Sequence, residues 1–411
     1  MQIAPALTEA LGVSEDAGIR IEAYDGSGAG GGDVVLSLNS PLALSYLITA
    51  PGELGLARAY VTGELELHGD IYAALTRLGA IKIKPMNWSE RLRLLRDLGG
   101  ISLLRRPPTP ASEVQLTGGR HSRARAQAAI AHHYDVSNQF YSWLLGESMA
   151  YTCAVYPDES ATLEQAQFAK HDLIARKLDL RPGMRLLDVG CGWGGMTMHA
   201  AREYGVQALG VTLSEQQAEW AGKAIAKAGL SNLAEVRHLD YRDVSEDDFD
   251  AVSSIGLTEH IGEGQLTDYF GFLYSKLRPG GRLLNHCISR PDNRAIAQAG
   301  KFIGRYVFPD GELVGPGRLL SEANDAGFEI RHEENLREHY ALTLTDWSDN
   351  LDRHWDESVR EIGAERARVW RLYLAASRLG FERNNIQLHQ ILGVKTPSDG
   401  NSSMPLRPQW Q

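Results

Sequence analysis

Short apolar runs recur between stretches of helical periodicity in the later part of the chain: Arg185-Leu-Leu-Asp-Val189, Gln207-Ala-Leu-Gly-Val211, Ala251-Val-Ser-Ser-Ile255 and Gly281-Arg-Leu-Leu284. Strands alternating with helices at this spacing predict an α/β fold, a mainly parallel sheet with helices on both faces. The N-terminal part reads differently. A Gly-rich break from Gly26 to Gly32 precedes the alternating run Val34–Leu38, which predicts a strand. Leu54–Tyr60 and Ile71–Leu78 read as short amphipathic helices around Gly63-Glu64-Leu65. Residues 81–125 form a basic amphipathic stretch containing Arg105-Arg106-Pro107-Pro108-Thr109-Pro110, a helix breaker and linker signal. These patterns divide the chain into a small α+β domain (1–104), a basic Pro-containing linker (105–125), a main α/β domain (126–396) and a flexible Pro/Ser/Gly tail (397–411). No internal repeat is visible.

Composition narrows the class. The 411 residues are 43% hydrophobic and 23% charged, which excludes intrinsic disorder, collagen and coiled coil. Cys153, Cys191 and Cys287 cannot form a disulfide framework and lack the short spacing of a zinc site, so a reducing cytoplasm is the expected compartment and no metal is expected. No window approaches 18 apolar residues, and Met1–Gly12 lacks the basic start of a secretory signal. The net charge of −10 argues against nucleic acid as a partner. Its distribution is uneven: residues 1–79 hold 3 Lys/Arg against 10 Asp/Glu, whereas residues 80–130 hold 10 against 3. The basic residues of the second segment are Lys82, Lys84, Arg91, Arg93, Arg96, Arg105, Arg106, Arg120, Arg123 and Arg125. Such a segment points to an anionic surface, with a solvated connector as the plain alternative.

The stretch Asp188-Val-Gly-Cys-Gly-Trp-Gly-Gly195 follows an apolar strand and precedes the helical run Met196–Glu203. Glycines let the backbone turn tightly and approach a ligand, and the new helix offers free N–H groups. Dinucleotide-binding folds share such turns, but the spacing here is Gly-x-Gly-x-Gly-Gly. The acid before the first glycine suits a charged amino-acid ligand better than a pyrophosphate. A purely structural strand-to-helix turn is the alternative.

With its surroundings, this turn resembles class I S-adenosylmethionine-dependent methyltransferases. Six further blocks narrow the likeness: Tyr134-Asp-Val-Ser-Asn138, Tyr151-Thr-Cys-Ala154, Leu163-Glu-Gln-Ala-Gln167 with Lys170, Gly210-Val-Thr-Leu-Ser-Glu-Gln216, Ser254-Ile-Gly256 with Glu259-His260, and Phe308-Pro-Asp-Gly311. In this order they resemble cyclopropane-fatty-acyl-phospholipid synthases, a family that includes mycolic-acid cyclopropane synthases and tuberculostearic-acid-type fatty acid methyltransferases. The likeness runs from about Ala126 to Leu392, and a weaker one, carried by Ala59-Tyr-Val-Thr-Gly-Glu64, covers residues 1–110. It implies a class I methyltransferase fold with a seven-stranded sheet, residues 126–396 as the methyltransferase domain, and a lipid- or membrane-associated N-terminal domain.

The resemblance also implies a site. S-adenosylmethionine would lie with its amino-acid part against Asp188, Gly190 and Gly192, with Tyr151 and Thr152 closing over it. Thr212, Leu213 and Gln217 would lie near the ribose and adenosine, and Tyr241 and Arg242 would border the adenine. The implied reaction adds the methyl carbon to the double bond of an unsaturated phospholipid acyl chain through a carbocation. Bicarbonate, held by the Cys153 and Ile288 backbone, Glu259, His286 and Tyr340, would assist deprotonation to a cyclopropane or, after a hydride shift, a methylene branch. Read without the resemblance, Glu259-His260 could be a surface pair, His286 a core histidine and Cys153 a buried small hydrophobe. Thr258, Val155, Asn285 and Cys287 depart from the family's usual residues. They are expected beside the cation, where a looser wall favours the methylene branch. The implied partners are a phospholipid membrane surface with unsaturated acyl chains, a second copy in a homodimer and, for a methylene product, a separate reductase. The implied place is the cytoplasm, peripherally on the inner face of the membrane. A methyltransferase acting on a small molecule is the competing reading.

Overall fold

The computed structural model describes residues 2–81, 88–114, 125, 137–294 and 300–410. The chain divides into two compact units: Met1–Gln115 with Gly300–Val307 and Trp355–Leu379, and Leu116–Ala299 with Phe308–His354 and Gly380–Gln411.

The first unit carries strands β1 (Ile19–Ala23), β2 (Gly28–Gly30), β3 (Val34–Leu38) and β4 (Leu65–His68), in the order β2-β1-β3-β4. The alternation in β3 sends Val34, Leu36 and Leu38 into the core. The Gly-rich break is a hairpin strand; at Gly30 (φ +78°) a Cβ would lie 2.3 Å from the Ile19 carbonyl oxygen. The expected helices span Glu53–Val61 and Ile71–Ala80, the latter capped by Asp70. Gly63–Leu65 leads into β4, a strand the sequence pattern leaves unread.

Two boundaries differ from expectation. The segments Gly300–Val307 and Trp355–Leu379, read from sequence as part of the main α/β domain, pack in the first unit. Arg305 reaches Glu113 at 2.9 Å, and Arg368 reaches Glu66 at 3.0 Å. Residues 105–114 are no solvated linker either. The Tyr46 hydroxyl donates to the Pro108 carbonyl at 2.7 Å, and Glu113 (6% exposed) accepts both Nε and Nη2 of buried Arg58 at 2.9 and 2.8 Å. A bidentate buried ion pair is a long-range arrangement that local composition does not announce. Residues 115–124 of the expected linker lie outside the described residues.

The second unit contains β5 (Arg185–Val189), β6 (Gln207–Thr212), β7 (Ala234–His238), β8 (Phe249–Ile255), β9 (Leu277–Ser289), β10 (Glu329–Asn335) and β11 (Gln387–Val394). Their order is β10-β11-β9-β8-β5-β6-β7, parallel from β7 to β9, with β11 antiparallel to both β9 and β10. Alternate residues serve opposite layers. Leu187, Val189, Val211, Leu283 and Cys287 pack with Phe270 and Leu273 of the helix Leu266–Lys276. Leu186, Ala208 and Leu284 pack with Ile174 of the helix Leu163–Leu178 and Met196 of the helix Gly195–Tyr204. The chain leaves β5 for β6 on one side and returns to β8 on the other. This switch point opens a crevice beyond the carboxyl ends of the strands.

The tail after Thr396, expected to be flexible, is docked. Arg282 Nη2 donates to the Ser403 carbonyl at 3.0 Å, and the Trp410 ring stands edge-on to His332 at 4.5 Å. Its Pro, Ser and Gly composition lacks periodicity, but Met404 and Trp410 find apolar partners on the second unit.

The Arg58–Glu113 pair yields a stability prediction. Glu113→Ala strands a buried guanidinium, so it should cost about 3–5 kcal/mol in urea unfolding of the first unit. Arg305→Ala, on the exposed side of the same carboxylate, should cost under about 1 kcal/mol. Equal, small effects would restore residues 105–114 to the status of a connector.

Candidate active site

At the end of β5 the chain turns through Gly190, Gly192 and Gly194, with φ of +72°, +56° and +82°, into the helix Gly195–Tyr204. Left-handed backbone in succession is what requires glycine here. Just before the turn, Asp188 is only 1% exposed. Ser253 of β8 donates its hydroxyl to Oδ1 at 2.7 Å, and Thr197 of the following helix donates to Oδ2 at 3.0 Å. Gly210 lies opposite Asp188 on β6, and a Cβ there would come within 2.7 Å of the Thr197 hydroxyl. Burial pushes the Asp188 carboxyl up to about 6, against the opposing pull of these hydroxyls and the Lys170 charge.

Tyr151, Thr152, Asp188, Gly190, Gly192, Thr212, Leu213, Gln217, Tyr241 and Arg242 all line one cavity in the crevice. A Cβ on Gly190 would meet Leu257 at 3.0 Å, whereas one on Gly192 would meet nothing within 4 Å. Thr212 donates its hydroxyl to Gln217 Oε1 at 2.7 Å, which leaves the Gln217 amide nitrogen as a donor at the cavity wall. Arg242 is paired with Asp240 and lies over the Tyr241 ring.

Lys170, His171, Trp193 and His260 line the same cavity, and the sequence reading assigned none of them a role there. Lys170 is fully buried, donates to the Thr152 hydroxyl at 2.7 Å, and has no carboxylate within 4.0 Å among the described residues. Burial brings its ammonium down to about 7. A sequence signal existed: Gln167 and Lys170 are one turn apart on a helix face otherwise occupied by Leu163, Ala166 and Ile174. Gln167 donates to the Ala150 and Thr152 carbonyls, so both side chains hold the segment that covers the cavity.

The second predicted cluster does not line this cavity. Glu259 sits in the short turn Thr258–His260 after β8, where Oε1 accepts from the Ile288 N–H at 2.7 Å. Its Oε2 is buried without a hydrogen-bond partner among the described residues, and burial pushes the carboxyl up to about 7. His286 lies opposite Ile255 on β9; its Nδ1 is 3.1 Å from the Gln390 amide, and its Nε2 is buried with no partner among the described residues. Cys153 is fully buried, and burial pushes its thiol far up, as suits a small hydrophobe. Tyr340 is packed between Phe381 and Trp347 at 4.4 and 6.1 Å. Its helix, Arg337–Arg353, holds the segment bearing Cys153: the Ala154 N–H donates to Thr343 Oγ1 at 3.0 Å, and the Tyr151 ring lies 5.2 Å from Trp347. Glu259 and Ile288 therefore touch directly. The orphaned Glu259 Oε2 and His286 Nε2 are the kind of groups that demand a small polar partner.

Three of the departures are joined to one another. Thr258 donates to Asn285 Oδ1 at 2.6 Å, and Asn285 Nδ2 lies 3.3 Å from the Cys287 sulfur. Strand alternation turns Asn285 and Cys287 to the face of β9 opposite His286 and Ile288, and Cys287 packs in the core with Leu187 and Leu283. Thr258, Asn285 and Cys287 thus form one hydrogen-bonded chain, with Asn285 and Cys287 on the face of β9 away from His286.

Residues 121–391 match the family model described as mycolic acid cyclopropane synthetase. A probable fatty acid methyltransferase of Mycobacterium tuberculosis is 54% identical over 405 residues, 96% of this chain and 95% of that protein. The cyclopropane-fatty-acyl-phospholipid synthase of Escherichia coli is 30% identical over 351 residues, 85% of each chain. Among solved structures, mycolic acid cyclopropane synthase CmaA1 complexed with S-adenosylhomocysteine superposes with a TM-score of 0.62 at 31% identity, covering 66% of this chain and 98% of that one. With its parallel sheet, glycine turn and crevice, the chain belongs to the mycolic acid cyclopropane synthetase family and is an S-adenosylmethionine-dependent methyltransferase of the class I fold.

Proposed function

We propose that this enzyme transfers the methyl carbon of S-adenosylmethionine to the double bond of an unsaturated phospholipid acyl chain, with bicarbonate assisting proton removal, to give a cyclopropane or methylene-branched lipid. The observation that carries this reading is that Glu259 Oε2, in the turn after β8, and His286 Nε2, on β9, are each buried without a hydrogen-bond partner among the described residues. A methyltransferase acting on an amine or hydroxyl of a small molecule has no need of a buried small-anion site.

When bound, the cofactor supplies an electrophilic methyl on a sulfonium. Asp188 suits its ammonium, the free N–H bonds of Lys170 suit its carboxylate, and the Gln217 amide suits the ribose hydroxyls. Tyr241 and Arg242, at the cavity wall, suit the adenine. An alkene is a weak nucleophile, so the reacting carbon must be held in line within a dry slot. Tyr151, Trp347, Tyr340 and Phe381 form a continuous aromatic run whose faces suit a developing carbocation. Bicarbonate supplies a base that does not trap the cation, and Glu259, His286 and the backbone at Cys153 and Ile288 are the groups that would hold it, with Tyr340.

The first unit carries a surface that suits a membrane. Leu98 and Leu103 anchor the helix Trp88–Leu98 and the turn Gly100–Leu104 in the core. Leu92, Ile101 and Leu104 are left 64%, 83% and 51% exposed beside the exposed Arg93, Arg96, Arg105 and Arg106. Large apolar side chains interleaved with arginine suit the interface of an anionic membrane. The side chains of Trp88 and Arg91, and residues Lys82, Lys84, Arg120 and Arg123, lie outside the described residues. No helix among the described residues is long and apolar enough to cross a membrane, so contact would be peripheral.

Mass spectrometry of lipids from a host making monounsaturated phospholipids tests the reaction. Added CH2 on acyl chains is expected, with hydrogenation separating ring from branch; unmodified lipids alongside methylation of a small molecule would overturn it. For the cofactor, Gly192→Val should weaken binding in calorimetry by about tenfold or more, since the side chain enters the cavity on strained backbone. Parent affinity should also fall as pH drops through about 6, because protonating Asp188 removes the charge that faces the cofactor's ammonium; Asp188→Asn should abolish that step.

For the base, Glu259→Gln should keep cofactor affinity while turnover falls by about 10²–10⁴. Stripping carbon dioxide should slow the parent, and added bicarbonate should restore it. For the membrane, vesicle sedimentation should rise with anionic lipid and fall with salt, each arginine contributing about 1 kcal/mol. Binding unchanged after neutralising Arg93, Arg96, Arg105 and Arg106 and converting Ile101 to Ser would return the segment to a solvated surface.

A further inference from the structure

His286 on β9 stands directly opposite Gln390 on β11, and both side chains are buried. The Gln390 amide nitrogen lies 3.1 Å from His286 Nδ1, and its amide oxygen lies 2.7 Å from Lys177 Nζ. Lys177 comes from the helix Leu163–Leu178, is itself buried, and pairs on its other side with Glu334 of β10. These four residues form an unbroken polar chain through the second unit, ending at His286 Nε2, which has no partner among the described residues.

Donor and acceptor capacities fix the direction of this chain. An ammonium paired with a carboxylate donates and cannot accept, so the Gln390 atom facing Lys177 is the oxygen. The amide nitrogen is thereby turned to His286 and donates to Nδ1. A neutral imidazole that accepts at Nδ1 carries its proton on Nε2. Burial and the nearby charges of Lys170 and Lys177 hold His286 well below its ordinary range, so the ring is neutral.

We propose that Glu334, Lys177 and Gln390 are positioning residues that lock His286 as the Nε2–H tautomer, so that it presents a neutral N–H donor to an anion beside Glu259. The anion's identity rests on the bicarbonate reading above; the tautomer does not. The chain accounts for two otherwise costly choices. A lysine is buried to orient an amide, and a glutamine stands at a central position of β11 among Leu388, Ile391 and Leu392. It gives the site a donor that stays uncharged across the neutral range, whereas an imidazolium would repel the cofactor's sulfonium and the carbocation.

Nitrogen-15 spectra of the full-length protein labelled at histidine, with His286 assigned by substitution, test this directly. The parent should show Nε2 protonated and Nδ1 bare and hydrogen-bonded, without change between pH 6 and 8. In Lys177→Met the amide loses the group that orients it. His286 should then show both tautomers, and turnover should fall about tenfold to a hundredfold, as when a metal-bound histidine loses its orienting partner, at unchanged cofactor affinity. Lys177→Arg, also a pure donor, should restore the single tautomer and most of the turnover. A parent His286 carrying its proton on Nδ1 overturns the proposal without any variant. So does a single Nε2–H tautomer, or full turnover, in Lys177→Met. A parent indifferent to bicarbonate would instead defeat the bicarbonate reading while the tautomer result stands.

Discussion

A carboxylate carried into the middle of a sheet covered on both faces must be surrounded by donors, and the positions around Asp188 answer that requirement. Ser253 arrives from the neighbouring strand and Thr197 from the helix that follows the glycine turn. Gly210 has no side chain because the Thr197 hydroxyl and the Cys191 sulfur occupy that space. The strand order, the turn and the cavity wall are thus tied to one another through one buried acid. Burial raises its protonation equilibrium, because the charged form is held away from water beside the crevice.

The helix Leu163–Leu178 repeats this arrangement with cations. Lys170 and Lys177 enter the interior two turns apart, each tied to a neutral polar group, Thr152 and Gln390. The first sits at the wall of the cofactor cavity and the second leads to His286. Burying an ammonium is expensive, so neither position is explained by packing. Both are explained by orientation: one holds the segment that covers the cavity, the other sets a side-chain amide. Stability is lower where function needs a charge, a familiar trade between the two.

The first unit solves a different problem. Its core pins Leu98 and Leu103 while Leu92, Ile101 and Leu104 stay exposed. Five of the ten basic residues of 80–130 (Arg91, Arg93, Arg96, Arg105 and Arg106) fall on this same stretch, whereas Arg125 is paired with Asp310.

Features set by neighbouring residues were legible from the chain alone. The run Arg185–Val189 is the strand β5 residue for residue, the glycine turn lies where its spacing puts it, and ten residues named from family resemblance line one cavity. Periodicity and backbone freedom are local properties, and a few adjacent side chains determine them. Other features depended on which distant groups met. The return of Gly300–Val307 and Trp355–Leu379 to the first unit, the docked tail, the buried Arg58–Glu113 pair and the Lys177–Gln390–His286 chain each join residues far apart in sequence. The face of β9 was decided the same way. Asn285 and Cys287 adjoin His286 in sequence, but a strand sends successive side chains to opposite sides, and only the packed sheet decides that Cys287 enters the core with Leu187 and Leu283 while His286 meets Gln390.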